Sequence, residues 1–201
     1  IGDHNVNAMV GHEYYNQTFY LLGAAKSHML TGENDELSGA IIDMQNAGSS
    51  RLEYNNEGYF ARVMYDYSNK YVEYEYDNRI VLNGSYRRDA SSRFHPDHRW
   101  GNFWSVGGAW IITREDFMAG THEWLDNLKF KASIGSQGND NIGDFRYTNT
   151  YTIENANGKV STAFRDKGSE NITWETNSNF NTGLEFSLYR GVVSGGVEYF
   201  L

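Results

Sequence analysis

Residues 86–110 constrain the fold of this chain more than any other stretch. They predict a strand that runs to one edge of a sheet, a charged loop, and a strand that returns. Trp104 and Trp110 are six residues apart, so in a strand they lie about 20 Å apart on the same face. This spacing suits the two aromatic girdles of a membrane barrel. It also suits the core of a soluble sheet, which is the more common case. The returning strand alternates, with Trp104, Val106, Gly108, Trp110 and Ile112 on one face and Ser105, Gly107 and Ala109 on the other.

One-sided alternation recurs along most of the chain. Strands are predicted over residues 5–15, 18–28, 57–69, 80–88, 127–136, 147–153, 180–188 and 193–201, the first two as a hairpin around Asn16-Gln17. Tight turns near residues 69 and 190 alternate with long polar loops at 29–56, 88–99, 137–146 and 154–172. Short turns at one rim and long loops at the other are typical of an outer-membrane barrel, and a β-sandwich shows them less regularly. The pattern therefore predicts an all-β, antiparallel, one-sided sheet.

Local patterns predict three smaller features. Leu37, Ile41 and Met44 have helical spacing after Asn34, which predicts a short helix in the first long loop. The sequence Thr113-Arg114-Glu115-Asp116 has the pattern of a helix cap and predicts a single helical turn. Residues 63–70 are nearly repeated at residues 72–79, and we interpret this repeat as an extended turn or a bulged hairpin.

Composition excludes several classes of function. The net charge of −9 argues against a nucleic-acid surface, which needs a basic face. The absence of cysteine excludes disulfides and thiolate metal sites. There is no apolar run of about 18 residues and no signal peptide, but barrel strands escape such scans because their apolar residues alternate. Because the chain begins and ends in strand-like sequence, we expect it to be a fragment of a longer protein.

Candidate ligand-binding residues lie in the polar loops. Arginine and carboxylate side chains can bind a solute through forked hydrogen bonds, and aromatic rings can stack on sugars. The same charged groups can instead pair with one another to hold the loop, and the rings can lie at a bilayer interface. These candidates are Arg88, Asp89, Arg93, Trp100, Asn139 and Asp140.

Catalysis and metal binding are not indicated. His95 and His98 have a spacing that suits a metal on a helix, but Pro96 keeps this segment extended. The sequence contains no nucleophile elbow, phosphate-binding loop or dinucleotide fingerprint. We therefore predict no catalytic residue, no metal and no cofactor, and the chain is not expected to be an enzyme.

Short blocks of sequence between residues 86 and 181 together identify a family. They are Tyr86-Arg87-Arg88-Asp89-Ala90-Ser91-Ser92-Arg93-Phe94, Arg99-Trp100-Gly101, Ala109-Trp110, Glu115-Asp116-Phe117, Trp124-Leu125-Asp126-Asn127-Leu128-Lys129, Gly138-Asn139-Asp140-Asn141-Ile142-Gly143 and Trp174-Glu175-Thr176-Asn177-Ser178-Asn179-Phe180-Asn181. In their order and spacing, these blocks resemble the SusC/RagA family of TonB-dependent outer-membrane transporters, over nearly all of residues 50–201. The near-repeat at residues 63–79 departs from the family pattern.

The resemblance implies a fold and a function. It implies a 22-stranded antiparallel transmembrane β-barrel closed by a plug, with residues 1–201 forming roughly 8–10 strands of the barrel domain and the plug and other strands absent. It also implies import of oligosaccharides, or peptides in some relatives, across the outer membrane of Bacteroidetes-type bacteria. A SusD-like surface lipoprotein would act as a lid, and the TonB-ExbB-ExbD complex would supply energy through segments outside this chain. No solute contact of the family can be assigned to a residue here.

A soluble glycan-binding β-sandwich remains the alternative from another class of protein. In a sandwich, the same apolar faces would pack on each other, whereas in a barrel they would face lipid. Strand alternation alone does not separate the two.

Overall fold

The computed structural model describes residues 3–25, 46–68, 78–156 and 158–201. The described part of the chain contains nine β-strands and two short 3-10 helices. The helices are Ile112–Arg114 and Asp116–Thr121. No helix in these ranges has the length and apolarity needed to cross a membrane. The strands are β1 (His4–Ala25), β2 (Asn46–Ser68), β3 (Asn78–Ser91), β4 (Trp100–Ile111), β5 (Leu125–Asn139), β6 (Thr150–Ala156), β7 (Lys159–Asp166), β8 (Glu175–Leu188) and β9 (Val193–Phe200).

Seven of the strands form one sheet in the order β1-β2-β3-β4-β5-β8-β9. The pairs from β3 to β9 are antiparallel, and β6 and β7 form a separate antiparallel pair inserted between β5 and β8. Each strand in the larger sheet lies beside a neighbour in this order, as in an up-and-down barrel wall. The predicted all-β antiparallel fold, a partial barrel, is confirmed.

The chain forms two compact units. One comprises Ile1–Tyr14 with Glu57–Leu201, and it contains strands β3 to β9. The other is Tyr15–Asn56, which includes the second half of β1 and the first half of β2. In this second unit, the rings of Tyr15 and Tyr54 lie 6.1 Å apart. Cross-strand ring pairs of this kind stabilise a two-stranded ribbon.

The strand register places apolar side chains in continuous rows on one face of the sheet. Very few hydrophobic side chains are buried in the described ranges: Ala90, Phe94, Phe103 and Leu125. The other described sheet is the two-stranded β6–β7 pair, and the apolar rows are exposed, so these strands do not form the core of a β-sandwich. One row across β3, β4, β5, β8 and β9 consists of Ile80, Trp110, Phe130, Leu184 and Val197, which are between 36% and 74% exposed.

Several predicted loops are strands. The hairpin around Asn16-Gln17 is wrong, because β1 continues through it and the Asn16 amide donates to the Asn55 side chain on β2. Residues 46–56, predicted as loop, belong to β2, and residues 137–139 belong to β5. The loop predicted at 154–172 contains the end of β6 and all of β7. In β2, residues 47–51 are exposed and are small or polar on both faces, which hides the strand pattern there.

Two other predicted features lie outside the described residues. They are the short helix near residues 37–44 and the turn near residue 69. Most of the second copy of the near-repeat, at residues 72–79, lies outside them as well.

The predicted helical turn after β4 is confirmed, but its predicted cap is wrong. The helix Asp116–Thr121 begins after Glu115, which makes no capping hydrogen bond with its side chain. Thr113 is buried, and its hydroxyl accepts a hydrogen bond from the backbone N–H of Leu128 at 3.2 Å. Its hydroxyl therefore fixes the start of β5 instead of capping the helix.

The turn between β8 and β9 has an unusual backbone, and it confirms the predicted tight turn near residue 190. Tyr189, Arg190 and Gly191 all have positive φ angles of 53°, 58° and 80°. Residues other than glycine rarely adopt this backbone conformation, so the turn needs hydrogen bonds from other parts of the chain. Asp126 provides it by accepting hydrogen bonds from the Gly191 N–H at 2.9 Å and the Ser187 hydroxyl at 3.4 Å.

We expect Asp126→Asn to lower the thermal unfolding midpoint of the protein at pH 7. Hydrogen bonds from the Gly191 backbone, then from the Arg190 backbone and the Ser187 hydroxyl, lower the pKa of Asp126. Because the folded pKa is lowered, this stabilisation is present above the ordinary carboxyl pKa of about 4 and is lost as pH falls through the folded value. The difference between variant and parent should therefore narrow in acid. An equal difference at all pH values would contradict this, and Asp97→Asn, with a side chain 79% exposed, is the control.

Candidate functional site

The face opposite the apolar rows is polar and nearly charge-balanced. Lys131 donates to Glu185 at 2.6 Å and also pairs with Glu198, while Lys129 donates to Glu185 at 3.2 Å. Gly107 and Ser133 lie opposite each other in the register and leave a shallow groove of about 350 Å³ between these charges and β3. Paired charges and small residues form a surface that water or a polar protein segment can cover.

A second ion network lies on the same polar face, near the end of β3. The Arg87 Nε donates to both carboxylate oxygens of Asp89 at 2.7 Å, and its guanidinium also pairs with Glu13 on β1. Asp89 is buried, with 6% of its surface exposed. Its carboxylate is therefore compensated within the wall.

An aromatic cluster closes the base of the loops, and we call it the loop-base cluster: Phe94, Phe103 and Trp174. Trp174 lies 5.4 Å from Phe94 and 5.2 Å from Phe103, measured between ring centroids. Phe94 is fully buried. The Trp174 indole N–H donates to the Arg99 carbonyl at 2.8 Å. The 92–99 loop and the adjoining strand β4 therefore share one small core with the distant segment before β8.

Two glycines make room for the loop-base cluster. A Cβ atom on Gly101 would lie 2.4 Å from the Phe103 ring, and one on Gly138 would lie 2.1 Å from it. Real contacts of Cβ atoms are essentially never this short, so the ring fits only against glycine on β4 and β5.

Arg93 ties the 92–99 loop to the segment that follows β5. Its Nη1 donates to the Asp140 carbonyl at 3.2 Å, and its Nε donates to the Asp144 carboxylate at 3.4 Å. The Ser91 hydroxyl donates to the carboxylate oxygen Oδ2 of the same Asp140 at 2.7 Å. The sequence left open whether these charged residues pair with one another. In the structure, Arg93 and Asp89 both pair with charged residues of the same chain.

The candidate ligand-binding residues do not converge on one site. Asn139 donates to Glu175 at 3.0 Å at the end of β5. Arg88 and Trp100 lie on the opposite face from Asp89, with the Arg88 guanidinium 5.0 Å from the centre of the Trp100 ring. Solute contact by any of the candidates stays a prediction.

Sequence reasoning missed the role of Phe103 in the loop-base cluster. The signal was present in the alternation of β4, because Phe103 falls on the polar face of a strand whose other large rings lie on the apolar face. An aromatic residue among glycines and serines on a polar face indicates a local contact that crosses strands.

The histidine pair in the loop does not form a metal centre. The rings of His95 and His98 are 6.3 Å apart between centroids, and His95 lies 3.5 Å from the Asp97 carboxylate. Across the residues that the structure describes, no group of three or more His, Asp or Glu side chains has an arrangement suited to a metal ion.

A sheet with one exposed apolar face and one charge-balanced polar face defines the class: the wall of a membrane β-barrel. Comparisons with known proteins narrow the class. The chain is 30% identical over 206 residues to the TonB-dependent receptor SusC of Bacteroides thetaiotaomicron, covering 98% of this chain and 19% of SusC. It is 31% identical over 146 residues to the TonB-dependent receptor P39 of Formosa agariphila, covering 71% of this chain and 13% of that receptor.

A solved structure agrees with these relatives. The RagAB peptide importer in its closed-closed state superposes with a TM-score of 0.85 and 25% identity, over 100% of this chain and 21% of that one. No family model matches the chain. The chain belongs to the SusC/RagA family of TonB-dependent receptors. It spans about a fifth of the length of SusC and of the RagAB chain, at 19% and 21%.

Proposed function

We propose that residues 1–201 are part of the barrel wall of a TonB-dependent importer in a bacterial outer membrane. The single observation that carries the proposal is the continuous apolar face, exposed from β3 to β9 with a charge-balanced polar face behind it. Facing lipid, the apolar rows are stable without a covering layer, whereas in water they would be a large exposed patch. Other segments of the parent protein would supply the plug and the remaining strands.

The proposed mechanism gives this chain a passive part. Apolar residues match the lipid, and polar residues line the lumen around the plug. Energy comes from the TonB-ExbB-ExbD complex, acting through parts of the receptor outside this chain. A SusD-like lipoprotein covers the outer side. This passive part requires neither a cofactor nor catalysis.

The proposed solute is an oligosaccharide or a peptide. Membership in the SusC/RagA family supports this range, and the structural likeness to RagAB, a peptide importer, adds weight to peptides. Asp89, Arg93, Asn139 and Asp140 are the candidate contacts that lie on the polar face or in the loops above it. Each already has a partner within the chain, so a solute would meet them through remaining lone pairs or N–H groups.

Deletion and complementation of the parent gene test this proposal. A strain that lacks the receptor should fail to grow when one class of polymer is supplied as the sole source of a nutrient. A glycan would be the sole carbon source, or a peptide the sole source of amino acids. The full-length gene should restore growth, and a pull-down from the complemented strain should recover a surface lipoprotein encoded beside it. Unchanged growth on every glycan and peptide supplied would overturn the importer proposal.

We expect the isolated 201-residue chain to aggregate or to require detergent. The outer strands β1 and β9 would leave two open edges, and both strands expose apolar side chains. Light scattering after gel filtration in buffer without detergent measures this. A monodisperse, soluble monomer would count against the barrel wall.

A further inference from the structure

From the row of Ile80 to the loop-side ends of β3, β4, β5, β8 and β9, the lipid-facing side carries a single charged residue. The register puts every second residue of these strands on that side. From the row of Ile80 to the row of Tyr86, all of these residues are apolar, glycine or uncharged polar. The first charge beyond them, toward the 92–99 loop, is Arg88, opposite Asn102 on β4. Arg88 therefore marks one edge of the apolar band.

Arg88 is exposed and is held by a ring instead of an acid. Its guanidinium lies over the Trp100 ring at 5.0 Å. Within the described ranges, no carboxylate pairs with it, in contrast to Arg87 and Arg93, which both have acidic partners. Stacking on an indole fixes the plane of a guanidinium and leaves its N–H groups available to an anion.

Aromatic residues lie near Arg88 on the same face. The Tyr59 ring lies 6.1 Å from that of Trp100, and the Tyr86 hydroxyl donates to the Asn102 side chain at 2.7 Å. Tyr59, Tyr86 and Trp104 are each between 44% and 48% exposed. Exposed tyrosine and tryptophan at the end of an apolar band are typical of the headgroup level of a membrane.

Glu57 on β2 is engaged by side chains other than Arg88. Glu57 accepts hydrogen bonds from the Tyr59 hydroxyl at 2.7 Å and from His12 at 3.1 Å. Its carboxylate therefore already has two partners, and the contact of the Arg88 guanidinium is the Trp100 ring.

We propose that Arg88, held on Trp100, binds the phosphate of an anionic lipid headgroup at the loop-side edge of the barrel wall. The inference rests on the proposed membrane location and goes beyond it by naming a lipid site. It also gives Arg88 and Trp100 a role other than solute contact, since both lie on the side away from the lumen. The forked N–H groups of arginine match phosphate oxygens, which favours phosphate over an uncharged headgroup.

Native mass spectrometry of the full-length receptor tests the site. The receptor is purified with equal amounts of phosphatidylglycerol and phosphatidylcholine of identical acyl chains, and the lipids retained by each folded receptor are counted. Arg88→Gln should lower retained phosphatidylglycerol roughly fivefold, the effect of one basic side chain at an anionic surface, and leave phosphatidylcholine unchanged. Arg88→Lys should retain an intermediate amount. Arg165→Gln, which removes an exposed arginine on β7, should behave as the parent.

The outcomes separate the two proposals. Folding into vesicles is scored on the same preparations by the shift in gel mobility on heating. A receptor that does not insert into vesicles would contradict both the membrane location and the lipid site. A receptor that inserts, but whose Arg88→Gln variant keeps the parent's preference for phosphatidylglycerol, would overturn the lipid site alone. Loss of solute uptake with that preference intact would return Arg88 to the solute-binding residues.

Discussion

Leu184→Arg in the full-length receptor should destabilise the inserted barrel by about 2–4 kcal/mol, the cost of an arginine on the lipid face near the midplane. Leu184 lies at the centre of the outward apolar run of β8, residues 180–188. It is 44% exposed, and it is flanked by Phe130 on β5 and Val197 on β9, both exposed as well. With no acidic partner in the neighbouring rows, the guanidinium would have to reach the membrane surface. Urea titration of the receptor refolded into vesicles measures the change.

The matched control lies on the same strand. Asn181→Arg introduces the same side chain on the polar face, beside the shallow groove. It should insert almost as well as the parent, because the lumen side is wet. If Leu184→Arg inserted as well as Asn181→Arg, the assignment of the two faces would be wrong.

Phe94→Ala should lower the free energy of unfolding by about 3–5 kcal/mol, the usual cost of removing a buried phenylalanine. Phe94 is fully buried against Trp174 in a wall where few hydrophobic residues are buried at all. Its loss would leave a cavity beneath the 92–99 loop and loosen the contact with the segment before β8. Guanidinium unfolding of the detergent-solubilised receptor measures the energy, and limited proteolysis locates the loosening.

Phe145→Ala is the control for this prediction. Phe145 lies in the loop after β5 and is 52% exposed, so its removal should change stability little. Equal destabilisation by the two substitutions, or unchanged protease resistance of the 92–99 loop in Phe94→Ala, would contradict a structural role for the loop-base cluster.

The sequence predicted the central strands well because local and global signals agree there. In most of β3 and β4, apolar and polar residues alternate, and the charged loop that joins them can only lie at an edge of the sheet. Alternation does not reveal what covers the apolar face. The family resemblance supplied the preference for a barrel, and the exposed rows of Ile80 and Leu184 agree with it.

Strand ends were not predictable by the same reasoning. Residues 47–53 of β2 and Asn139 of β5 are exposed, and most of them are polar or small. A strand with polar residues on both faces shows no alternation of apolar and polar residues, so its sequence cannot be distinguished from that of a loop. The hairpin predicted at Asn16 failed for this reason, since a pair of asparagines bridges two strands there instead of turning the chain.

The candidate site was predictable in composition but not in geometry. Arg93 and Asp140 are separated by 47 residues, and only the pairing of β4 with β5 brings them together. Their residue types suggested both solute binding and mutual pairing, and the sequence offers no distance with which to choose. The face of the sheet on which Arg88 lies is likewise known only from the structure, where the strand register puts Arg88 opposite Asn102.

Accessibility of single labelled sites along β8 tests the two-faced wall most directly. Spin labels at successive positions from 180 to 186 in the reconstituted full-length receptor are exposed to oxygen, which concentrates in lipid, and to a water-soluble nickel chelate. Labels at Phe180, Leu184 and Phe186 should favour oxygen, and labels at Asn181 and Glu185 should favour the chelate or be shielded by the plug. Oxygen accessibility that does not alternate, or that is highest at Asn181 and Glu185, would contradict the account.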